Sequence, residues 1–436
     1  MCLRPKVCRL RKGKVIVMNY DISQKDKEIL REVAKRQLEL AKQERNEIKK
    51  KEWTAHNELM GERPMIHLEA WTFKEEIILP RLKCSGTFAK EVETMMYSML
   101  SNQELFDDDR VTPDHYEMEY ITEFELFGVK EQVEHTFDGT GKESLGHHFV
   151  SLLNDLEEDY PKLGITHFAV KKEATMKKKA AIEEAIGDIL PVKLQTSGLY
   201  SVPTQMLVHI MSMENMMYNM YDYPELFKDM MGRIADDTIA FYRYLEKQNV
   251  LLPTVGNESL GQGSWCYNNT LPKVKENGGF VSKDLWGFMD SQETIGISPQ
   301  MFEEFIFPTY KRISENFGLL SYGCCEPVDP IWENCISKLG NLRKISISPW
   351  CKEEYMGECL QGSRVIYHRK PSPNFLGVGT NLEEEAVRAH IRKTLQAAKG
   401  CKLEITQRDV YTINNNVSKA KRYIDIIKEE IEKHWR

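Results

Sequence analysis

The chain has 436 residues, with 41% apolar and 29% charged residues, so it can bury a sizeable core and is not disordered overall. Lys plus Arg is 59 against 66 for Asp plus Glu, a net charge of −7, which argues against a protein that holds nucleic acid by electrostatics. No stretch approaches the roughly 18 uninterrupted apolar residues of a membrane span. Ten cysteines in a chain this long are too sparse for a disulfide scaffold. With no secretory signal in view, they read as reduced thiols of a cytoplasmic protein.

In chain order, residues 1–17 are basic, acid-free and lack the apolar core of a signal peptide. They read as a flexible extension ahead of a start at Met18. Residues 18–60 read as an N-terminal helical segment, because Ile29, Leu30, Val33, Leu38 and Leu40 recur at helical spacing among charges. From residue 61 to 436, short apolar runs alternate with longer helical patterns. The runs expected as strands are Met65–Trp71, Tyr116–Leu126, Thr166–Val170, Val192–Leu199, Val250–Val255, Leu285–Asp290, Leu319–Cys324, Leu342–Ser348, Arg364–Tyr367 and Cys401–Thr406. Helices are expected over Leu145–Leu163, Lys172–Ile186, Gln205–Gln248, Pro299–Phe317, Pro330–Leu339, Leu382–Ala398 and Val417–Lys433. Such alternation predicts a parallel sheet with helices outside. The expected fold is an α/β (β/α)8 TIM barrel with an N-terminal helical extension. A doubly wound sheet is the rival, but Gly261-Gln-Gly263-Ser lacks the third glycine of its phosphate loop. The methionines crowded between Met206 and Met231 read as core filler.

In a barrel the chemistry sits at the C-terminal strand ends. There the sequence offers Glu258, then Asp290 and Glu293, then Tyr322, Cys324, Cys325 and Glu326. Neighbours on a strand point to opposite faces, which would part Cys324 from Cys325. Thiolates with a carboxylate would suit zinc, but Cys324 and Cys401 lie too far apart in sequence for spacing to decide. Trp265, Tyr267 and Asn268 suggest a loop around a planar substrate, or one packing on itself. His148 stands near the start of an expected helix. Gly-x-Ser-x-Gly, the Walker loop and His-Glu-x-x-His are all missing.

Four segments carry a resemblance. They are Leu285-Trp-Gly-Phe-Met-Asp290, Ile297–Pro308, Leu319-Leu-Ser-Tyr-Gly-Cys-Cys-Glu-Pro327 and Val378-Gly-Thr-Asn-Leu-Glu-Glu-Glu385. They resemble the uroporphyrinogen decarboxylase superfamily, in particular its corrinoid-dependent methyltransferase branch. The resemblance runs over about residues 55–435 and implies a (β/α)8 barrel. The decarboxylases' arginine-rich motif has no counterpart in Met65-Ile-His-Leu-Glu-Ala-Trp71, which argues against uroporphyrinogen decarboxylation. The methyltransferase branch implies Zn2+ held by a His-x-Cys pair and a distant cysteine. Here these fall on Tyr322-Gly323-Cys324 and Cys401, with Tyr322 replacing the histidine and Glu258 the favoured completing ligand ahead of Glu326 or Cys325. It further implies cobalamin carried on a separate corrinoid protein, since this chain has no Asp-x-His-x-x-Gly motif. More carboxylate character suits an ether oxygen. The favoured activity is therefore methyl transfer from a small methylated substrate, an aromatic methyl ether, to that partner. Asp290, Glu293 and His148 would be the catalytic groups, and Trp265, Tyr267, Asn268 and Tyr322 the substrate-binding ones. The alternatives are a methylcobamide:thiol (coenzyme M-type) or methylamine-pathway enzyme of the same branch, or a metal-free barrel lyase. Assembly as a homodimer is left open.

Overall fold

The structure is a computed structural model that describes residues 19–137, 143–276 and 278–435. The expected extension over residues 1–17 lies outside the described residues. Seven strands form one parallel sheet: β1 Met65–Leu68, β2 Leu199–Ser201, β3 Trp286–Met289, β4 Leu319–Tyr322, β5 Leu342–Ile347, β6 Ile366–Arg369 and β7 Leu403–Gln407. Their spatial order is β1-β7-β6-β5-β4-β3-β2. Every residue of β1, β5, β6 and β7 is buried, as expected for strands covered on both faces.

The order is that of a barrel, but among the described residues no strand pairing joins β1 to β2. The α/β barrel-like expectation holds for this sheet, and its closure into eight units is not seen among the described residues. Tyr116–Glu119 pairs with Val192–Gln195, and Thr122–Glu125 pairs antiparallel with His167–Val170, both apart from the main sheet. The free edge of β1 is capped by side chains instead. Asp109 accepts from Ile66 N at 2.7 Å, Asp108 accepts from Leu68 N at 2.8 Å, and Asn102 Nδ2 donates to Leu68 O at 2.7 Å. An edge satisfied in this way offers no ladder for another strand.

Two further expectations give way for local reasons. Residues 250–254 form no strand, because Pro253 lacks a donor. Leu252 N instead donates to Thr196 Oγ1, and Thr254 Oγ1 accepts from Trp286 N. The helix expected over Leu145–Leu163 is a strand, Glu143–Phe149, followed by short turns of helix.

The N-terminal segment forms helices α1 Gln24–Ala41 and α2 Glu44–Asn57, with Ser23 capping the first. Leu30 and Ala34 of α1 share an apolar cluster with Phe88, Val92, Tyr116 and Ile182. The larger cluster lies between the main sheet and its helices. It takes in Met211, Met216, Met220, Met230 and Met231, so these methionines are core filler as read. Among the described residues no helix is long and apolar enough to cross a membrane.

Candidate active site at the C-terminal strand ends

Residues paired in register share a face. The chain of pairs Tyr200–Phe288–Ser321–Lys344 and His368–Glu404 defines the concave face of the sheet. Strand alternation then puts Asp290, Lys370 and Arg408 on that face, just past the ends of β3, β6 and β7. Curvature brings them together. In a flat sheet β4 and β7 would lie about 14 Å apart, yet Arg408 Nη1 stands 3.6 Å from Cys324 Sγ, beyond the end of β4.

Asp290 is the most unusual group. It is fully buried, and neither carboxyl oxygen has a hydrogen-bond partner. Burial pushes its pKa well above the carboxylate range, and the Cys324, Glu326 and Glu293 groups around it add to the shift. Its protonated form is therefore favoured over the carboxylate. Glu293 is also raised, by burial first, and accepts from Thr204 Oγ1 at 2.8 Å. Glu326 shapes the loop: its oxygens accept from Ser291 N at 2.9 Å and Cys324 N at 2.8 Å.

Gly323 ends β4 with φ +98°, a conformation that L side chains rarely adopt. A Cβ there would also meet Ser346 Cβ at 2.9 Å. The turn takes Cys324 and Cys325 off the strand, and their sulfurs come to 3.5 Å instead of pointing apart. Cys325 is the more acidic of the two because its sulfur accepts the Cys324 S–H, while Cys324 is pushed up. Lys370 Nζ donates to Gly323 O at 3.3 Å and Gln262 Oε1 at 3.2 Å, and burial lowers its pKa. Arg408 also pairs with Glu69 and Asp409.

Of the sequence-nominated residues, Asp290, Glu293, Cys324, Cys325 and Glu326 meet here. The others do not. Cys401 lies two residues before β7, at the opposite end of the parallel sheet. Its sulfur contacts Gly357 O at 3.5 Å, and burial pushes its thiol up to about 11. Glu258 folds back on Gly256 N beside Glu117, and its raised pKa is due first to burial. The nominated zinc set is therefore not assembled. Among the described residues no three His, Cys, Asp or Glu side chains are grouped to hold a metal.

Tyr322 alternates with the concave face. It packs edge-on against Tyr310 and bonds Ser291 Oγ at 2.6 Å, fully buried. Trp265 and Tyr267 belong to a packed cluster with Trp53, Met65 and Val111. Asn268 spends its amide on Thr254 O and Cys266 O. These three hold their own loop together. His148 is exposed on a strand paired with Val133–Phe137, outside the main sheet.

Lys370, Arg408 and Asp409 were missed because the strands run further than the apolar runs suggest. The signal was present: His368-Arg-Lys370 and Gln407-Arg-Asp409 are charged runs continuing two strands, where charge has no place in a core unless it is used.

No family model matches this chain, and no curated protein matches it. Among solved structures, a methyltransferase from Methanosarcina mazei is similar at 12% identity with a TM-score of 0.46. The similarity covers 86% of this chain and 98% of that one. A likeness of that extent transfers no chemistry.

Proposed function

We propose that the chain is a methyltransferase working at the C-terminal ends of its parallel strands. It takes a methyl group from a small methylated substrate, an aromatic methyl ether first among them, and passes it to a corrinoid carried on a separate protein. The observation that carries this reading is Asp290, a buried, unpartnered carboxyl whose pKa burial raises, near Lys370 and beside Cys324, which Arg408 approaches.

Breaking an ether C–O bond leaves an alkoxide or phenolate, a poor leaving group unless it is protonated as it departs. A neutral carboxyl is the group for that task, and positioned general acids contribute about 10²–10⁴ in rate. Lys370 and Arg408 suit the charge developing on the leaving oxygen, or an anionic substituent of the substrate. The corrinoid, when bound, supplies the nucleophile for the methyl carbon. No metal is required of this chain's own residues in that scheme.

The test is anaerobic incubation with cob(I)alamin and a panel of methoxybenzoates, methoxyphenols, methylated thiols and methylamines, following methylcobalamin by its absorbance. Methyl ethers are expected to react. Asp290→Asn is expected to slow the reaction by about 10²–10⁴, with the wild-type rate falling as pH rises through the raised Asp290 pKa. Full activity in Asp290→Asn, or no transfer from any donor, overturns the reading.

A further inference from the structure

The sulfurs of Cys324 and Cys325 stand 3.5 Å apart on adjacent residues, held by a glycine turn and by the Ser346 hydroxyl on Cys324 O at 2.8 Å. Cys325 is partly exposed and Cys324 is buried behind it. Arg408 Nη1 lies 3.6 Å from the inner sulfur, and Asp409 Oδ2 lies 3.7 Å from the outer one. Two soft donors already at a chelating distance need almost no reorganisation to close on one soft centre. Among the described residues no third His, Cys, Asp or Glu groups with them to hold a metal.

The geometry points to a vicinal dithiol site for trivalent organoarsenicals at the strand ends, independent of the methyl-transfer reading. A two-donor site suits a trivalent centre that keeps its own organic group as third substituent. It does not suit zinc, which takes four ligands. With an arsine oxide, the accessible Cys325 sulfur forms the first As–S bond and Cys324 closes the ring with the second. The two S–H bonds and the As=O bond break, and both thiol protons leave with the oxygen as one water. Arsenic stays trivalent, so no oxidant or reductant is consumed. The fixed positive charge of Arg408, 3.6 Å from the inner sulfur, favours the approach by stabilising negative charge on the pair.

The experiment titrates the full-length protein with phenylarsine oxide and reads the adduct by intact mass, with iodoacetamide protection mapped on peptides. One equivalent is expected, released by ethane-1,2-dithiol and resistant to excess monothiol. Cys324 and Cys325 should be the two residues protected from alkylation. Cys324→Ser and Cys325→Ser should each lose the dithiol-specific adduct. Uptake without protection of both cysteines, retention of the adduct in either variant, or no uptake at all overturns the proposal. Because protection is read on wild-type protein, a variant that fails to fold leaves the answer intact.

Discussion

Asp290 works against the stability of the protein that holds it. In the unfolded chain an aspartate ionises near pH 3.9, whereas the buried, unpartnered Asp290 stays protonated to far higher pH. At pH below both values the two states bind the same proton and nothing is lost. As pH rises between them, the unfolded state releases a proton that the folded state keeps, so stability falls with pH. Asparagine has nearly the same shape and does not titrate. Asp290→Asn is therefore expected to raise the melting temperature at about pH 8, with the gain shrinking towards about pH 4. Scanning calorimetry across that range checks it; parallel pH profiles for the two proteins would mean that the carboxyl is not held neutral. A variant that is more stable and far less active is the expected mark of a functional strain site.

At the scale of elements, the last two helices show the opposite electrostatics. In the helix Val417–His434, Glu430 is buried and bonded to Arg388 at 2.8 Å and Arg392 at 2.7 Å of the helix Glu384–Ala397. Burial alone would raise its pKa, but the two arginines outweigh that and pull it down to about 2. A lowered carboxylate contributes fully above its unfolded value near 4.3 and loses the contribution as pH falls to about 2. Glu430→Gln is expected to cost about 2 kcal/mol at neutral pH and to flatten the acid limb of stability, read by urea unfolding at several pH values. Helices of this kind were legible, because their apolar spacing and acidic starts are local. The sheet was legible only in part. Asp290, Glu293 and Cys324 could be named because polar residues follow obvious apolar runs. Lys370 and Arg408 could not, because β6 and β7 carry charge on their concave face and read as strands that end early. Nor could the meeting of Cys324 with Cys325, since it depends on a positive φ at Gly323. The opposite placement of Cys324 and Cys401 required knowing on which side of its strand each one sits.

Across the whole molecule, the concave face sets the charged Lys344 and Glu404 with His368 among Tyr200, Phe288 and Ser321, in place of the branched apolar layers usual in a barrel. The hairpin of Ser259–Gly261 and Ser264–Trp265 lies on it. At Gly263, φ is +75° and a Cβ would meet Thr406 Cγ2 at 2.5 Å, so the hairpin seats only with glycine there. Beneath it Lys344 Nζ bonds Glu404 at 2.7 Å and Ser264 Oγ at 2.6 Å, both charges fully buried. His56 of α2 and His368 of β6 approach the same carboxylate at 3.6 Å and 3.5 Å. Burial holds both histidines below their ordinary pKa, His368 down to about 3, while His368, Lys344 and His56 together draw the Glu404 pKa down. One ion pair thus ties β5, β7, the hairpin and the N-terminal helix into a single unit. Removing either partner strands the other charge in a dry interior, which costs about 3–5 kcal/mol. Lys344→Met and Glu404→Gln are each expected to lose that much in guanidinium unfolding, while the double variant recovers much of it because no charge remains buried. Additive losses in the double variant would mean that the two groups do not act as a pair. A stranded Glu404 in Lys344→Met should also draw a proton onto His56 or His368, visible as a histidine titration moved up towards neutral pH by NMR.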